Sequence, residues 1–185
     1  MKHFNKIDKL SSQSNLVIGS NAICEIMNSD ISLIKKVIKL ESNKNYISQR
    51  QQIILDKTGK MSIPTQTLAK KEFIRLAGNK AQGIAAYIKE YKYYQLEDLI
   101  NKNKKFQPNL NKSVKVILAL DSITDPHNLG AIIRSAVAFG VENIIITKHK
   151  SAQVTPSVWK ASAGQVSKVR IAKVSSLTNA LKILK

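Results

Sequence analysis

The segment Val114–Thr147 carries the clearest fold signal in the chain, and it reads VKVILALDSITDPHNLGAIIRSAVAFGVENIIIT. It opens with an apolar run, Val114–Leu120, which is typical of a buried β-strand. A polar loop, Asp121–Gly130, follows, and Ala131–Phe139 then carries apolar side chains at helical spacing. Val141–Thr147 is a second apolar run. The order of strand, helix and strand predicts two parallel strands joined by a right-handed crossover.

The same alternation of short apolar runs and amphipathic stretches continues on both sides of this unit. Downstream, the pattern predicts a loop and helix over 148–162, a strand over Val166–Val174 and a helix over Leu177–Leu184. Upstream, it predicts a small α/β domain. Its strands are expected at Leu16–Ile18, Lys36–Leu40, Met61–Pro64 and Gly83–Ile88. Its helices are expected to begin at Ser20, to span Asn45–Lys57 and to follow a cap at Thr67.

Composition divides the chain into four parts. Residues 1–14 are polar and basic, which predicts a disordered arm, and residues 15–90 form the upstream domain. Residues 91–112 have linker composition, and residues 113–185 form a downstream domain. Tyrosines and Phe106 lie among lysines in the linker, where they could stack on bases or pin the linker onto a domain.

Lysine and arginine number 30 against 12 aspartates and glutamates, which gives a formal net charge of +18. Such an excess attracts polyanions and speeds encounter with them. Isoleucine, lysine and asparagine are all abundant, so AT-rich coding DNA is a second explanation of the charge. The charge favours a nucleic-acid partner over that explanation, and it does not distinguish RNA from DNA.

Cysteine content and hydropathy narrow the class of protein and its expected location. The single cysteine, Cys24, excludes an internal disulfide and a cysteine metal cluster, and no metal site is predicted. The N-terminal residues lack the apolar core of a secretory signal, and no apolar run reaches the length of a membrane-spanning helix. The expected location is therefore the reducing cytoplasm, without a membrane partner.

The loop DSITDPHNLG joins the carboxyl end of a predicted strand to a predicted helix, where open α/β sheets bind ligands. Free N–H groups at the helix start suit a phosphate, and Gly130 permits close approach of backbone to ligand. Asn128 offers an amide, and Arg134 offers a planar fork for a phosphate. Structural explanations are equally open: turn formation by Asp121 and Asp125, a helix cap at Asn128 and a surface charge at Arg134.

Residues 121–140 resemble the first signature of the SpoU family, approximately D-x-[IV]-x-D-P-x-N-x-G-x-x-x-R-[ST]-A-x-[AS]-F-G. KASAG (160–164) is similar to the family's next segment. VIGSNAICEIM (17–27) resembles the start of its N-terminal substrate-binding domain, and AQGIAAYI (81–88) resembles its H-Q-G-[IV]-x-A boundary strand. The resemblance runs from about residue 15 to the end.

The resemblance implies a fold and an activity. The fold is an α/β one, with a small ribosomal-protein-like substrate-binding domain followed by an incomplete SPOUT (α/β-knot) domain with a parallel sheet. The activity is S-adenosylmethionine-dependent methylation of a ribose 2′-hydroxyl in structured RNA, with ribosomal RNA as the expected partner. Family enzymes dimerise through their knotted domains, so a homodimer is a further possibility.

The resemblance also implies roles for particular residues. Arg134 would assist deprotonation of the 2′-hydroxyl, and Asn128 would orient the ribose or the arginine. A guanidinium is a poor base at neutral pH. The expected role of Arg134 therefore combines stabilisation of the developing negative charge with proton removal. Asp125, His127 and Gly130 would contact RNA, although a solvent-facing histidine is an equal alternative for His127.

The sequence departs from the family pattern in three places. The G-[ST]-E-x-x-G turn and the S-L-N-V-S-x-A helix, which hold the methyl donor, do not occur up to Lys185. The cofactor residues are therefore expected in a segment absent from this sequence. Ser167 stands where the family has glutamate, and Ala81 where it has histidine. A non-catalytic RNA-binding remnant is accordingly the alternative to an active methyltransferase.

Overall fold

A computed structural model describes residues 15–41, 47–100 (for residue 100, the backbone only) and 116–184. The chain divides after Glu90 into two compact units. The predicted arm at 1–14 and the linker residues 101–112 lie outside the described residues. No helix in the described part of the chain is both long enough and apolar enough to cross a bilayer.

The N-terminal unit is built on a four-stranded mixed sheet with strand order β1-β4-β2-β3. Strands β1 and β2 are both antiparallel to β4, whereas β2 and β3 are parallel. The elements are β1 Leu16–Ile18, α1 Ser20–Asp30, β2 Ile34–Leu40, α2 Gln49–Lys60, β3 Thr65–Leu68, α3 Lys70–Ala77 and β4 Ile84–Ile88.

The bounds of one predicted helix, the position of one predicted strand and one predicted helix cap in this unit are wrong. The helix predicted from Asn45 to Lys57 begins at Gln49, because Ser48 forms a capping box with Gln51, and it continues past Gly59 to Lys60. The strand predicted at 61–64 is instead Thr65–Leu68. Pro64 lacks an N–H that could join the strand ladder. Its carbonyl accepts the N–H of Val37, and the strand begins at the next residue. Thr67 therefore lies in a strand and caps no helix.

The C-terminal unit contains a parallel sheet with strand order β5-β6-β7. The predicted strand–helix–strand unit is confirmed, with Leu118 opposite Ile144 in a parallel ladder. The predicted strand over 166–174 begins only at Arg170, because residues 165–168 form a 3-10 helix. The elements are α4 Leu96–Ile100, β5 Ile117–Leu120, α5 Pro126–Ala138, β6 Asn143–Thr147, α6 Pro156–Ala161, β7 Arg170–Val174 and α7 Leu177–Leu184.

Residues 91–100, where composition predicts a linker, pack on the edge of β7. Tyr94 forms a parallel bridge with Ala172. The Tyr91 hydroxyl donates to the carbonyl of Val169 (2.7 Å) and accepts the N–H of Ile171 (3.0 Å). Burial raises the pKa of Tyr91 far above its ordinary value. Through these contacts, Tyr91 anchors the segment to β7. Composition alone does not reveal that its hydroxyl has buried partners.

A second tyrosine fixes the loop that follows β6. The hydroxyl of Tyr93 accepts the N–H of Val154 at 2.8 Å, and its ring meets that of Tyr91 edge-on. The ammonium group of Lys173 lies 3.6 Å from the centre of the Tyr93 ring. Desolvation by burial lowers the pKa of Lys173. The segment before α4 therefore belongs to the packing of the C-terminal unit.

Replacement of Tyr91 by phenylalanine should lower the free energy of unfolding by roughly 1–3 kcal/mol, because two buried backbone groups lose their partner. Tyr94→Phe is the matched control, since Tyr94 is 36% exposed. Urea unfolding followed by circular dichroism would measure both variants. Equal stability of the two variants would contradict a structural role for the Tyr91 hydroxyl.

Candidate functional site

The candidate site lies at the carboxyl edge of the parallel sheet, where α/β proteins bind ligands. Two loops meet there: residues 121–125 after β5 and residues 148–155 after β6. The N–H of Ala152 donates to the carbonyl of Ile123 at 2.7 Å, which ties the two loops together. The N–H of Lys148 donates to Val174 O at 2.8 Å, which ties the second loop to the end of β7.

Helix α5 begins five residues earlier than the sequence pattern predicts. Pro126 is its first residue, and the Asp125 carboxylate caps it by accepting the N–H groups of His127 (3.1 Å) and Asn128 (3.3 Å). The helix cap is therefore Asp125 and not Asn128. Two of the N–H groups that were expected to be free for a phosphate are already bonded to this carboxylate.

The solvent-facing side of α5 carries the two residues proposed for catalysis. Asn128 and Arg134 are both exposed, as are Ala131 and Ser135. At about 100° per residue, the exposed positions span roughly 120° of the helix circumference, with Asn128 and Arg134 at its two borders and about 9 Å apart along the axis. His127 is exposed on the same side. The small residues between them leave this face open to a large substrate.

Asn128 and Arg134 do not face each other directly. Side chains three or four residues apart face each other on a helix, and those six residues apart do not. Among the described residues, no hydrogen bond joins Asn128 to Arg134. The side chain of Asn128 is exposed to solvent.

Gly130 is buried against α6 and lies one turn before Arg134, about 40° from it around the helix. A Cβ at this position would stand 2.5 Å from Cβ of Ala161, and 3.0 Å from both Ser162 N and Val158 O. The missing side chain lets two helices approach each other, so Gly130 contacts protein. The expectation that Gly130 contacts RNA is not supported by its position, and the physical reason is this helix packing.

The KASAG segment forms the other half of that helix contact. Ser162 is fully buried, and its hydroxyl donates to Trp159 O (3.2 Å) and accepts the N–H of Val166 (3.4 Å). Ala163 and Gly164 both have left-handed backbone, with φ of 51° and 84°. The segment therefore ends α6 in a tight turn and presents a backbone surface to Gly130.

A second polar region lies in the N-terminal unit, in a groove of about 630 Å³. The guanidinium of Arg50 is held by Asn21 Oδ1 at 2.6 Å, and the amide of Gln51 donates to Gln82 O at 2.6 Å. The groove is lined by Ser20, Ser48, Gln49, Arg50, Gln51 and Gln82. Within the described ranges, no three His, Cys, Asp or Glu side chains are grouped as a metal site requires.

Comparison with known proteins identifies the family. The model of the SpoU rRNA methylase family matches residues 115–185, and that of the RNA 2′-O ribose methyltransferase substrate-binding domain matches residues 16–94. A Bacillus subtilis protein assigned to the TrmH family of tRNA/rRNA methyltransferases, YacO, is 33% identical over 178 residues, covering 95% of this chain and 67% of YacO. The chain belongs to the SpoU/TrmH family.

Other members are similar over most of this chain. A TrmH-family protein of Staphylococcus saprophyticus is 31% identical, with coverage of 92% of this chain and 65% of that protein. The SpoU methyltransferase AviRb of Streptomyces viridochromogenes has the same fold, with a TM-score of 0.65 at 18% identity, covering 92% of this chain and 57% of AviRb. An AdoMet-bound rRNA methyltransferase of Sinorhizobium meliloti gives a TM-score of 0.65 at 20% identity, with coverage of 91% and 58%. The chain thus spans about two thirds or less of these relatives.

Two of the three departures from the SpoU pattern, Ala81 and Ser167, have local structural explanations. Ala81 is fully buried in an apolar cluster with Phe73 and Ala85, where an imidazole would need a buried partner. The hydroxyl of Ser167 donates to the carbonyl of Gly164 at 2.8 Å, so it closes the turn after α6. Both residues therefore serve packing in this member of the family.

In dinucleotide-binding α/β folds, a carboxylate accepts the hydroxyls of the cofactor ribose. At this edge of the sheet, Asp121 accepts the hydroxyl of Ser122 (3.1 Å), and Asp125 is the cap of α5. We therefore assign no described residue to the methyl donor.

Substitution of Gly130 by alanine should destabilise the C-terminal unit by roughly 1–3 kcal/mol, because the new methyl group overlaps α6. Gly59→Ala in α2 is the matched control: a Cβ added there would have no atom within 4 Å, so the gain in helix propensity should stabilise the protein by up to about 1 kcal/mol. Thermal unfolding of both variants would give shifts of opposite sign. A stabilised Gly130→Ala variant would show that the helices are not in close contact.

Asp125→Ala should cost about 1 kcal/mol of stability, because two first-turn N–H groups of α5 lose their acceptor. Asp125→Asn should retain most of the stability, since its amide oxygen can accept the same bonds. Denaturant unfolding of the pair would test the cap. Equal losses in both variants would indicate that the carboxylate charge matters more than capping.

Proposed function

We propose that the protein methylates the 2′-hydroxyl of a ribose in structured RNA, with S-adenosylmethionine as the methyl donor and ribosomal RNA as the substrate. The observation that carries the proposal is the exposed face of α5, in a chain of the SpoU/TrmH family. On that face Asn128 lies in the first turn of α5, at the carboxyl edge of the parallel sheet, and Arg134 lies six residues further along; both are exposed to solvent. The net charge of +18 favours binding to a polyanion.

Arg134 is the residue to which we assign charge stabilisation. Its planar guanidinium can hold a phosphate beside the target ribose and stabilise negative charge that develops on the 2′-oxygen. Because a guanidinium does not release its proton at neutral pH, the hydroxyl proton passes to the substrate phosphate or to water. S-adenosylmethionine, when bound, would supply the methyl group to this oxygen, and the electron pair of the broken carbon–sulfur bond would leave on its sulfur.

Asn128 is assigned to the orientation of the ribose. Its amide can both donate to and accept from a sugar hydroxyl, which suits a group that distinguishes RNA from DNA. The exposed side chain of His127 lies in the same first turn of α5 and is proposed to contact the RNA backbone. Asp125 acts on the RNA indirectly, because its carboxylate fixes the turn that presents both residues.

The N-terminal unit is proposed to recognise RNA shape. The substrate-binding model of the family covers residues 16–94, and the polar groove around Arg50 offers donors to a sugar-phosphate chain. Ribosomal RNA as the target, a homodimeric assembly and a cytoplasmic location belong to the same proposal. A protein with one cysteine needs no oxidising compartment to fold.

The first test is calorimetric titration of the 185-residue chain with S-adenosylmethionine, followed by methyl transfer to ribosomal RNA fragments transcribed in vitro. Nuclease digestion and mass spectrometry would identify a 2′-O-methyl nucleoside. Binding of the donor and formation of that product would support the proposal. A folded chain that binds RNA and does not bind the donor would overturn it and leave RNA binding as the function.

Arg134→Lys should reduce kcat by about 100-fold with a smaller effect on KM, because the planar fork is lost while the charge remains. Arg75→Lys, at an exposed position of α3, is the control and should leave kcat unchanged. Single-turnover methylation of the same RNA fragment would measure both variants. Equal rates for the two variants would remove Arg134 from the reaction.

A further inference from the structure

The turn after β6 places three consecutive basic side chains at the carboxyl edge of the sheet. Lys148, His149 and Lys150 follow directly on Thr147, the last residue of β6, and all three are exposed. Strand β6 lies between β5 and β7, so its turn occupies the middle of the described edge. Charged side chains are common in solvated turns, so charge alone does not indicate a binding site. A binding site also requires a backbone held in one conformation and cations without a protein partner.

Hydrogen bonds hold this turn in one conformation. The hydroxyl of Thr147 donates to His149 O at 2.7 Å. Because that proton is used, the hydroxyl of Ser151 must donate to Thr147 Oγ1, at 2.6 Å. The N–H of Lys148 donates to the carbonyl of Val174 at 2.8 Å. A turn bonded in this way presents its side chains from a fixed backbone.

Lys150 occupies a backbone conformation that favours glycine. Its φ is 56°, in the left-handed region, which a residue with a side chain adopts only at a cost. Glycine would be unstrained there. A strained residue held by surrounding bonds is typical of functional positions, and here that residue is an exposed lysine at the edge of the sheet.

The basic side chains of the turn form no ion pair with the described residues around them. In the part of the chain that the structure describes, no ion pair involves Lys148, His149 or Lys150. The nearby loop contains Asp121 and Asp125, and both carboxylates accept hydrogen bonds within their own loop or helix. An anionic ligand is therefore the partner that suits this turn.

We propose that Lys148, His149 and Lys150 form a preformed clamp for the RNA phosphodiester groups that flank the target ribose. The inference rests on the proposed function, and it adds residues that position the substrate. The bond from Ala152 N to Ile123 O links the clamp to the loop that leads into α5. A phosphate held on the turn would thus have a fixed position relative to Asn128 and Arg134.

The double variant Lys148→Ala/Lys150→Ala tests the clamp. Its affinity for the ribosomal RNA fragments should fall about tenfold near physiological salt, and the slope of log K against log salt should decrease by about 1.4–1.8, as expected for two lost phosphate contacts. The control is Lys92→Ala/Lys182→Ala, which removes the same charge from exposed positions elsewhere in the unit. Fluorescence anisotropy at several salt concentrations would measure both.

Lys150→Gly separates strain from RNA contact. It should leave the Tm unchanged or raised, because the left-handed backbone is relieved. It should nevertheless weaken RNA binding about threefold, as expected for one lost phosphate contact. A raised Tm with undiminished RNA affinity would show that the lysine is incidental, and would overturn the clamp.

The outcomes distinguish the clamp from the proposed function. If the wild-type chain binds RNA and the two double variants lose affinity equally, the clamp is wrong and RNA binding stands. If the wild-type chain binds none of the RNA fragments, the proposed function and the clamp both fail. A larger loss of affinity and of salt slope in Lys148→Ala/Lys150→Ala than in the control supports the clamp.

Discussion

The packing of α5 on α6 depends on the absence of a side chain at residue 130. Any Cβ there would overlap Ala161 and the backbone of the turn that ends α6. Gly130 lies one turn before Arg134, so this contact adjoins the exposed face that carries Asn128, Ala131, Arg134 and Ser135. The close contact of two backbones thus fixes the position of α5 beside α6.

The carboxyl edge of the sheet is organised by backbone bonds between loops. Ala152 bonds to Ile123, and Lys148 bonds to Val174, so the loop after β6 is tied on both sides. Ser122 and Lys150, one in each loop, have left-handed φ of 57° and 56°. Strain of this kind persists only where neighbouring bonds enforce it, which explains why a turn rich in like charges keeps a defined shape.

The aromatic stretch before α4 shows how composition can mislead. Tyrosines among lysines suggest a flexible linker that stacks on bases, whereas Tyr91 and Tyr93 direct their hydroxyls to backbone groups of the C-terminal unit. A tyrosine joins an apolar ring to one polar atom, so it can cover the edge of a sheet and bond to it as well. Burial of this kind depends on partners 78 and 61 residues further along the chain, respectively.

The amino-acid sequence was sufficient to predict the strand–helix–strand unit, the parallel pairing of its strands and the family, because apolar periodicity and the D-P-x-N-x-G pattern are local. It also singled out Asn128 and Arg134, and the Asp125–Pro126 pair is a local signal for the start of α5 that apolar periodicity overlooks. Tertiary structure alone decided the burial of Gly130 against α6, the fixed turn after β6 and the anchoring of Tyr91. Each of these depends on contacts between elements that are distant along the chain, and no local pattern encodes such a contact.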